Sequence, residues 1–367
     1  MQGFLTELVT IDAEYNLNSV ITLYVRHGNA AFRIYYDPQI LAVSPPVLEQ
    51  HHEAYNIMHG DDPGGEYLEL VKRLRGPFEE LMTQMAPNLM ESTRYLHRYL
   101  YPPWFILEAR VGEGSSHIQP HFKETVSRQA LRHPGEAVIR FGLKPYLAPL
   151  LDSKLKKYSS DQVQILDQTL LWVPSRVLVD NKEYFFKPWV VYRGHTYHDI
   201  QSYSKILADS EASQSLLTDT RFCHLHGLII DNDKEFLQHY PLDSNEEDYS
   251  CTRLVGLLLT YIENKGTLRD VAPWSDCTNE DRLRWSMQIQ NYVKCLHEAG
   301  VVWGDAKPEN VLVDMKGDAW LIDFGGSYRP GWVDEDKQET MEGDLQGVQR
   351  IDEWLRECSR QPTTRIK

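Results

Sequence analysis

Residues 301–326 read VVWGDAKPENVLVDMKGDAWLIDFGG, so that Asp305, Lys307, Asn310 and Asp323 fall within one short span fenced by apolar runs. Carboxylate and amide oxygens are hard donors that suit a divalent cation such as Mg²⁺. An ammonium group suits phosphate oxygens, and a carboxylate beside a hydroxyl can take its proton. Either half alone says little, since D-F-G is a common tripeptide and D-x-K-P is an ordinary loop with a proline. Together, at this separation, they point to a phosphate and a metal.

Such groups need elements to hold them. Upstream, LLWVPSRVLVDNKEYFFKPWVV reads as two β-runs, 177–179 and 184–191, about a D-N-K turn, which puts Lys187 in the second strand. HTYHDIQSYSKILAD then reads as a helix with Ile200, Tyr203, Ile206 and Leu207 on one face. HLHGLIIDND and TRLVGLLLTYI supply two more strands. DRLRWSMQIQNYVKCLHEAG supplies a strongly periodic helix through Trp285, Ile289, Tyr292, Val293 and Leu296, with Gly300 as its stop. The expected order is strand, strand with lysine, helix, strand, strand, helix, and then the opening stretch.

The first third of the chain has a different grammar. Residues 18–36 read as two strands around HGN; past Ser44 the pattern turns helical, with Tyr67, Leu70, Val71 and Leu74 on one helix, Phe78, Leu81, Met82 and Met85 on the next, and Gly76-Pro77 between them. Residues 102–120 read as an apolar strand running into a loop. No catalytic pattern occurs in residues 1–145, which are expected to form a mixed α/β accessory domain. His51, His52 and His59, with Asp61 and Asp62 close by, repeat no known zinc-ligand spacing and are expected to be loop residues.

Composition narrows the class. At 367 residues and 42% hydrophobic, the chain can build more than one core. Five scattered cysteines without a C-x-x-C pair fit free thiols in a reducing compartment. With 53 acidic against 38 basic residues the net charge is −15, which disfavours a nucleic-acid partner. The N-terminus lacks a signal-peptide pattern and no apolar run reaches the roughly 18–20 residues of a membrane span, so a cytoplasmic or nucleocytoplasmic protein without membrane attachment is expected.

The chain resembles the eukaryotic protein-kinase-like superfamily over roughly residues 165–355, with D305-A-K-P-E-N310 as the catalytic loop and D323-F-G325 as the metal loop. The resemblance implies a bilobal α+β fold, with a β-rich N-lobe and hinge at 146–262 and a short helical C-lobe at 263–367, and it implies ATP with Mg²⁺. Asp305 would be the catalytic base, Lys307 would neutralise the transferring phosphate, and Asn310 and Asp323 would be the metal ligands. Lys187 takes the place of the strand lysine and Asp199 that of its helix partner, one methylene shorter than the usual glutamate. Leu259 would stand beside the adenine pocket, with Thr260, Tyr261 and Ile262 as a hinge offering backbone to the base.

The resemblance also departs from its pattern. No glycine lies between Gly142 and Gly194, where a Gly-rich phosphate loop belongs; Trp303 and Gly304 replace the His-Arg before the catalytic Asp; and no A-P-E follows the metal loop. Asp344, twenty-one residues beyond Asp323, stands in the place of an acid that ties the catalytic loop from below. These features are similar to compact fungal-type kinase-like proteins with a divergent N-lobe and a shortened C-lobe. The expected function is transfer of the ATP γ-phosphoryl group to a protein Ser/Thr hydroxyl. The alternatives are a small-molecule kinase of the aminoglycoside or choline type, acting on a small hydroxyl-bearing substrate, and a pseudokinase that serves as a binding scaffold.

Overall fold

The computed structural model describes residues 9–12, 16–27, 30–59, 64–86, 95–100, 102–126, 155–166, 175–188, 195–207, 221–231, 253–274, 276–326 and 331–360. They form a mixed α+β structure, and the chain divides into two compact units. The first takes in residues 1–136, 159–181 and 232–247; the second takes in 137–158, 182–231 and 248–367. Among the described residues no helix is long and apolar enough to cross a membrane.

In the first unit, β1 (Val9–Asp12), β2 (Ile21–His27), β3 (Ala30–Tyr36), β4 (Trp104–Arg110) and β5 (Gln119–Val126) make a sheet in that order. All pairs are antiparallel except β3 with β4. A parallel pair needs a long crossover. Here it carries α1 (Pro38–Leu41), α2 (Pro45–Met58), α3 (Gly64–Arg75), α4 (Glu79–Met85) and α5 (Leu96–Leu100), with a 3₁₀ turn, Gly76–Phe78, between α3 and α4.

Strand alternation sets the core. Leu23 lies opposite Ile34 and Val25 opposite Phe32, and this face packs on Leu70, Leu74, Phe78 and Met82 of the helical layer. The expected strand-to-loop at 102–120 is β4 and its loop, but a further strand, β5, follows; its Q-P-H-F-K-E-T-V sequence alternates too weakly to announce itself. The turn residues 28 and 29 lie outside the described residues. His51 and His52 lie on α2, His51 buried, rather than in a loop, and His59 caps the end of that helix. A short antiparallel pair, β7 (Gln164–Ile165) with β8 (Arg176–Val179), also belongs to this unit.

The second unit contains a sheet in the order β6 (Lys156–Tyr158), β10 (Leu225–Asp231), β11 (Arg253–Thr260) and β9 (Lys182–Pro188). β6 runs parallel to β10; β11 runs antiparallel to both of its neighbours. Asp180 and Asn181, at φ 50° and 59°, make the turn into β9, as D-N-K predicts. That strand ends at Pro188, and the expected continuation to 191 lies outside the described residues.

Among the described residues, this unit also holds a small antiparallel sheet of β12 (Asn264–Thr267), β13 (Val311–Asp314) and β14 (Ala319–Leu321), together with helices. The helices are α6 (His195–Ile206), α7 (Leu268–Val271), α8 (Asn279–Glu298) and α9 (Met341–Arg360). Thr278 and Asp281 form a capping box at the start of α8, and Gly300 at φ 70° closes its far end. Thr340 starts α9, its hydroxyl accepting from the Gly343 N–H at 3.0 Å. Trp285, Ile289, Val293 and Leu296 of α8 share one core with Ile200 and Tyr203 of α6 and with Val348, Ile351 and Leu355 of α9.

Candidate functional site

Lys187 sits near the end of β9 with its ammonium nitrogen 2.6 Å from Asp199 Oδ2 and 2.7 Å from Asp323 Oδ1. The three residues come from a strand, a helix and a loop, and Lys187 and Asp323 are 136 positions apart. Asp199 lies in the first half of α6 with its side chain 1% exposed. Its Oδ2 and the Lys187 ammonium form a buried ion pair. One methylene less than glutamate is therefore enough reach in this fold.

Burial shapes the charges of this triad. It pushes the Asp199 carboxyl up to about 6, and the Lys187 ammonium only partly counters it. For Lys187 burial acts downward, but Asp199 and Asp323 outweigh it and hold the ammonium above its ordinary range. For Asp323 burial acts upward, yet Lys187, the Gly325 N–H and Lys307 together keep its carboxyl low. At neutral pH all three groups are ionised. Asp323 also has φ 60°, a left-handed conformation that costs a non-glycine residue about 1 kcal/mol or more and turns its carboxylate toward Lys187.

The loop 303–310 is fixed from several sides. Asp305 accepts from Lys307 Nζ, and Asn310 Nδ2 donates to Asp305 Oδ2 at 2.8 Å and to the Asp305 carbonyl at 3.0 Å. Asp344, 2% exposed on α9, takes the Trp303 N–H at 2.7 Å and the Gly304 N–H at 2.8 Å, while His297 Nε2 at the end of α8 lies 2.9 Å from it. The loop is thus tied from below, as expected. His297 was not anticipated; the only hint was a polar residue in the last turn of an apolar helix, just before the loop.

Backbone contacts bring this loop beside the 322–326 segment. The Ile322 N–H donates to the Asn310 carbonyl at 3.0 Å, and Trp303 Nε1 donates to the Ile322 carbonyl at 2.9 Å. Gly304 has φ 86°, a conformation that other residues rarely adopt, so a side chain at 304 would strain the loop; its Cβ would sit at ordinary contact, 3.5 Å from Gly326 Cα. The Phe324 ring packs 5.5 Å from Tyr203 of α6 and 5.9 Å from Phe222. Asp305, Lys307, Asn310, Asp323, Lys187 and Asp199 therefore form one neighbourhood.

The other expected residues lie along β11 and the chain after it. Leu259 is buried on the sheet opposite Phe185. Thr260 is the last residue of the strand rather than free linker, its N–H donating to the His224 carbonyl at 2.9 Å and its hydroxyl accepting from the His224 N–H at 3.1 Å. Tyr261 and Ile262 follow in the connection to β12, where Asn264 Nδ2 donates to the Ile262 carbonyl at 2.8 Å.

The donor set fits Mg²⁺. Among the described residues no group of three or more His, Cys, Asp and Glu side chains could hold a cation unaided. Asn310 spends its NH₂ on Asp305, so the hard donor it has left is its amide oxygen. That oxygen and the Asp323 carboxylate match a cation that takes one or two protein ligands and completes its shell with substrate phosphates and water.

No protein-family profile matches the chain. Short stretches are similar to curated protein kinases: 42% identity over 62 residues with the cell cycle protein kinase DBF2 of Candida albicans, covering 17% of this chain and 8% of that one. CBL-interacting protein kinase 21 of Oryza sativa subsp. japonica is 33% identical over 97 residues, 26% of this chain and 18% of its own length. The cAMP-dependent protein kinase catalytic subunit PRKX of Mus musculus is 34% identical over 70 residues, 19% of this chain and 17% of its own. The chain spans under a fifth of the length of each of these relatives.

Proposed function

We propose that this chain is an ATP-dependent phosphotransferase built on a bilobal, protein-kinase-like unit, with residues 1–145 as an accessory domain, and that it phosphorylates Ser or Thr hydroxyls of a protein. The observation that carries this reading is Lys187, held at 2.6 and 2.7 Å between two carboxylates from distant parts of the chain, beside a loop that fixes a third. A core ion pair of this kind is a costly way to gain stability, because both charges must be taken out of water. It is well suited to presenting a cation to phosphates.

In this reading Lys187 grips the ATP phosphates, with Asp199 orienting it, and Lys307 faces the transferring group. Asp305 accepts the proton of the attacking hydroxyl; its Oδ2 is already aimed by Asn310 and Lys307. The hydroxyl oxygen bonds to the γ-phosphorus as the bond to the β-phosphate oxygen breaks, and ADP leaves. Asp323 and Asn310 would hold Mg²⁺, which when bound screens the phosphate charges. Leu259 borders the adenine, and Thr260, Tyr261 and Ile262 offer backbone to it.

A second reading, a small-molecule kinase, is favoured by one feature: α9 begins only eighteen residues after Asp323, which leaves a short segment for a peptide platform. Phosphoryl transfer to a peptide library, set beside a panel of small alcohols, separates the two. With Mg²⁺-ATP the wild type should gain melting temperature, about 2.7 kcal/mol at 100 Kd of ligand. Asp323→Ala should lose most of that gain, and Asp305→Asn should keep it while turnover drops about 10²-fold or more. ATP binding without turnover in the wild type would leave a pseudokinase scaffold.

A further inference from the structure

We infer that Phe185 is a nucleotide-contacting residue, its ring the surface on which the nucleobase stacks, so that the site has little preference between ATP and GTP. The inference deepens the phosphotransferase reading and rests on it. It begins with strand geometry. Lys187 lies opposite Leu257 and Phe185 opposite Leu259 in the antiparallel β9–β11 pair, and residues directly opposite share a face. Leu257 and Leu259 belong to the core that contains Ile200 and Tyr203 of α6, the helix that carries Asp199. Phe185 and Lys187 therefore project toward the same side of the sheet.

The intervening residues confirm the alternation. Phe186 is buried over Gly256, where a Cβ would come within 2.4 Å of its ring, and Tyr184 packs 5.4 Å from His226. On the Lys187 face Leu257 and Leu259 are buried, yet Phe185 is 37% exposed. A single exposed aromatic on a protein surface is ordinary. This one stands two residues from Lys187 along the strand, about 7 Å between Cα atoms, on the side of Thr260 and the connection that follows it.

That spacing suits a nucleotide whose phosphates lie at Lys187 and whose base lies over the ring. The strand motif V-A-I-K of protein kinases has alanine two residues before the lysine, so a phenyl ring here changes the shape of the base site. Aromatic rings stack on every base, because each base has a π-face, and they discriminate poorly among them. Backbone hydrogen bonds from 260–262 would then add orientation rather than most of the affinity.

The test is calorimetric titration of the full chain with Mg²⁺-ATP, Mg²⁺-GTP and, as a probe without a base, Mg²⁺-tripolyphosphate. In the wild type the two nucleotides should bind within about fivefold of each other. Phe185→Leu, which keeps an apolar partner for Leu259, should weaken both nucleotides about tenfold or more, leave tripolyphosphate unchanged, and keep the ligand-free melting temperature. Phe185→Trp should restore nucleotide binding. Equal or tighter nucleotide binding by Phe185→Leu would overturn the inference, since the ring would then add nothing to binding or obstruct it. Tripolyphosphate binding without nucleotide binding in the wild type would overturn it while leaving the phosphate site standing. Binding of none of the three would remove the phosphotransferase reading and this inference together.

Discussion

The two units handle buried polar groups in opposite ways. The first buries His27 and His51 under its helices, and burial holds both imidazoles below their ordinary range and so uncharged at neutral pH. Among its described residues the buried acid is Glu108, met by Arg110 and Lys123, which are half exposed. The second unit buries Asp199 and Asp344 as working carboxylates, each answered by a cation or by N–H groups from another element. Charge survives burial only where partners from several segments converge, and such convergence is also what a reaction needs. Under the proposed function, the site falls on the second unit, where Asp199 and Asp344 are buried.

The sharpest way to break that contrast is Asp344→Ala. It leaves the Trp303 and Gly304 N–H groups without their acceptor, at about 1–3 kcal/mol each, so a loss of about 2–6 kcal/mol is expected in denaturant unfolding, together with loss of activity. A loss under about 1 kcal/mol would mean that the loop is held without it.

Thr340→Ala probes the same helix at smaller scale. Thr340 is the cap of α9, so the substitution should cost about 1 kcal/mol, and Thr340→Asn should restore it. Activity per folded molecule should be unchanged in both variants and after phosphatase treatment. Gly304 offers no guanidinium to grip a phosphate on this segment, and the acidic residues 334–336 would oppose one. A large loss of turnover in Thr340→Asn or after phosphatase treatment would show control by phosphorylation.

The smallest effect is a pH slope. Histidines whose pKa values desolvation lowers, His27 and His51 in the first unit and the partly buried His224 in the second, bind fewer protons folded than unfolded, so stability falls as pH drops below about 6.5. Asp199 works the other way: its folded pKa of about 6 lies above its unfolded value, so its contribution grows as pH falls from about 6 toward 4. Asp199→Asn should therefore lose stability more steeply than wild type between pH 7 and 5.5, by under about 1 kcal/mol. Parallel slopes would show that Asp199 is not raised.

Much of this arrangement is legible in the residues. D-A-K-P-E-N and D-F-G declare themselves because their groups are close in sequence as well as in space. Lys187 and Asp199 are found by order alone, a lysine in one strand and an acid early in the next helix, and the structure brings them to 2.6 Å. What escapes is set by distant partners. β6 is only K-K-Y and has no period to read. The need for glycine at 347 comes from Ala306, whose Cβ would lie 2.6 Å from an added side chain. His297 matters only because Asp344 arrives beside it.

The edge strand β6 has a consequence for behaviour in concentrated solution. Without it β10, L-H-G-L-I-I-D, would offer a row of unpaired backbone groups flanked by apolar side chains, which is a template for other chains. Lys156 and Lys157 instead present exposed, like-charged side chains at that margin, where a second copy would meet repulsion. The cover depends on Gly227, since a Cβ there would lie 3.0 Å from the Lys156 carbonyl oxygen and 3.0 Å from the Tyr158 ring. Proteolytic loss of these few residues, or a bulky residue at 227, should increase self-association, read by light scattering against the wild type.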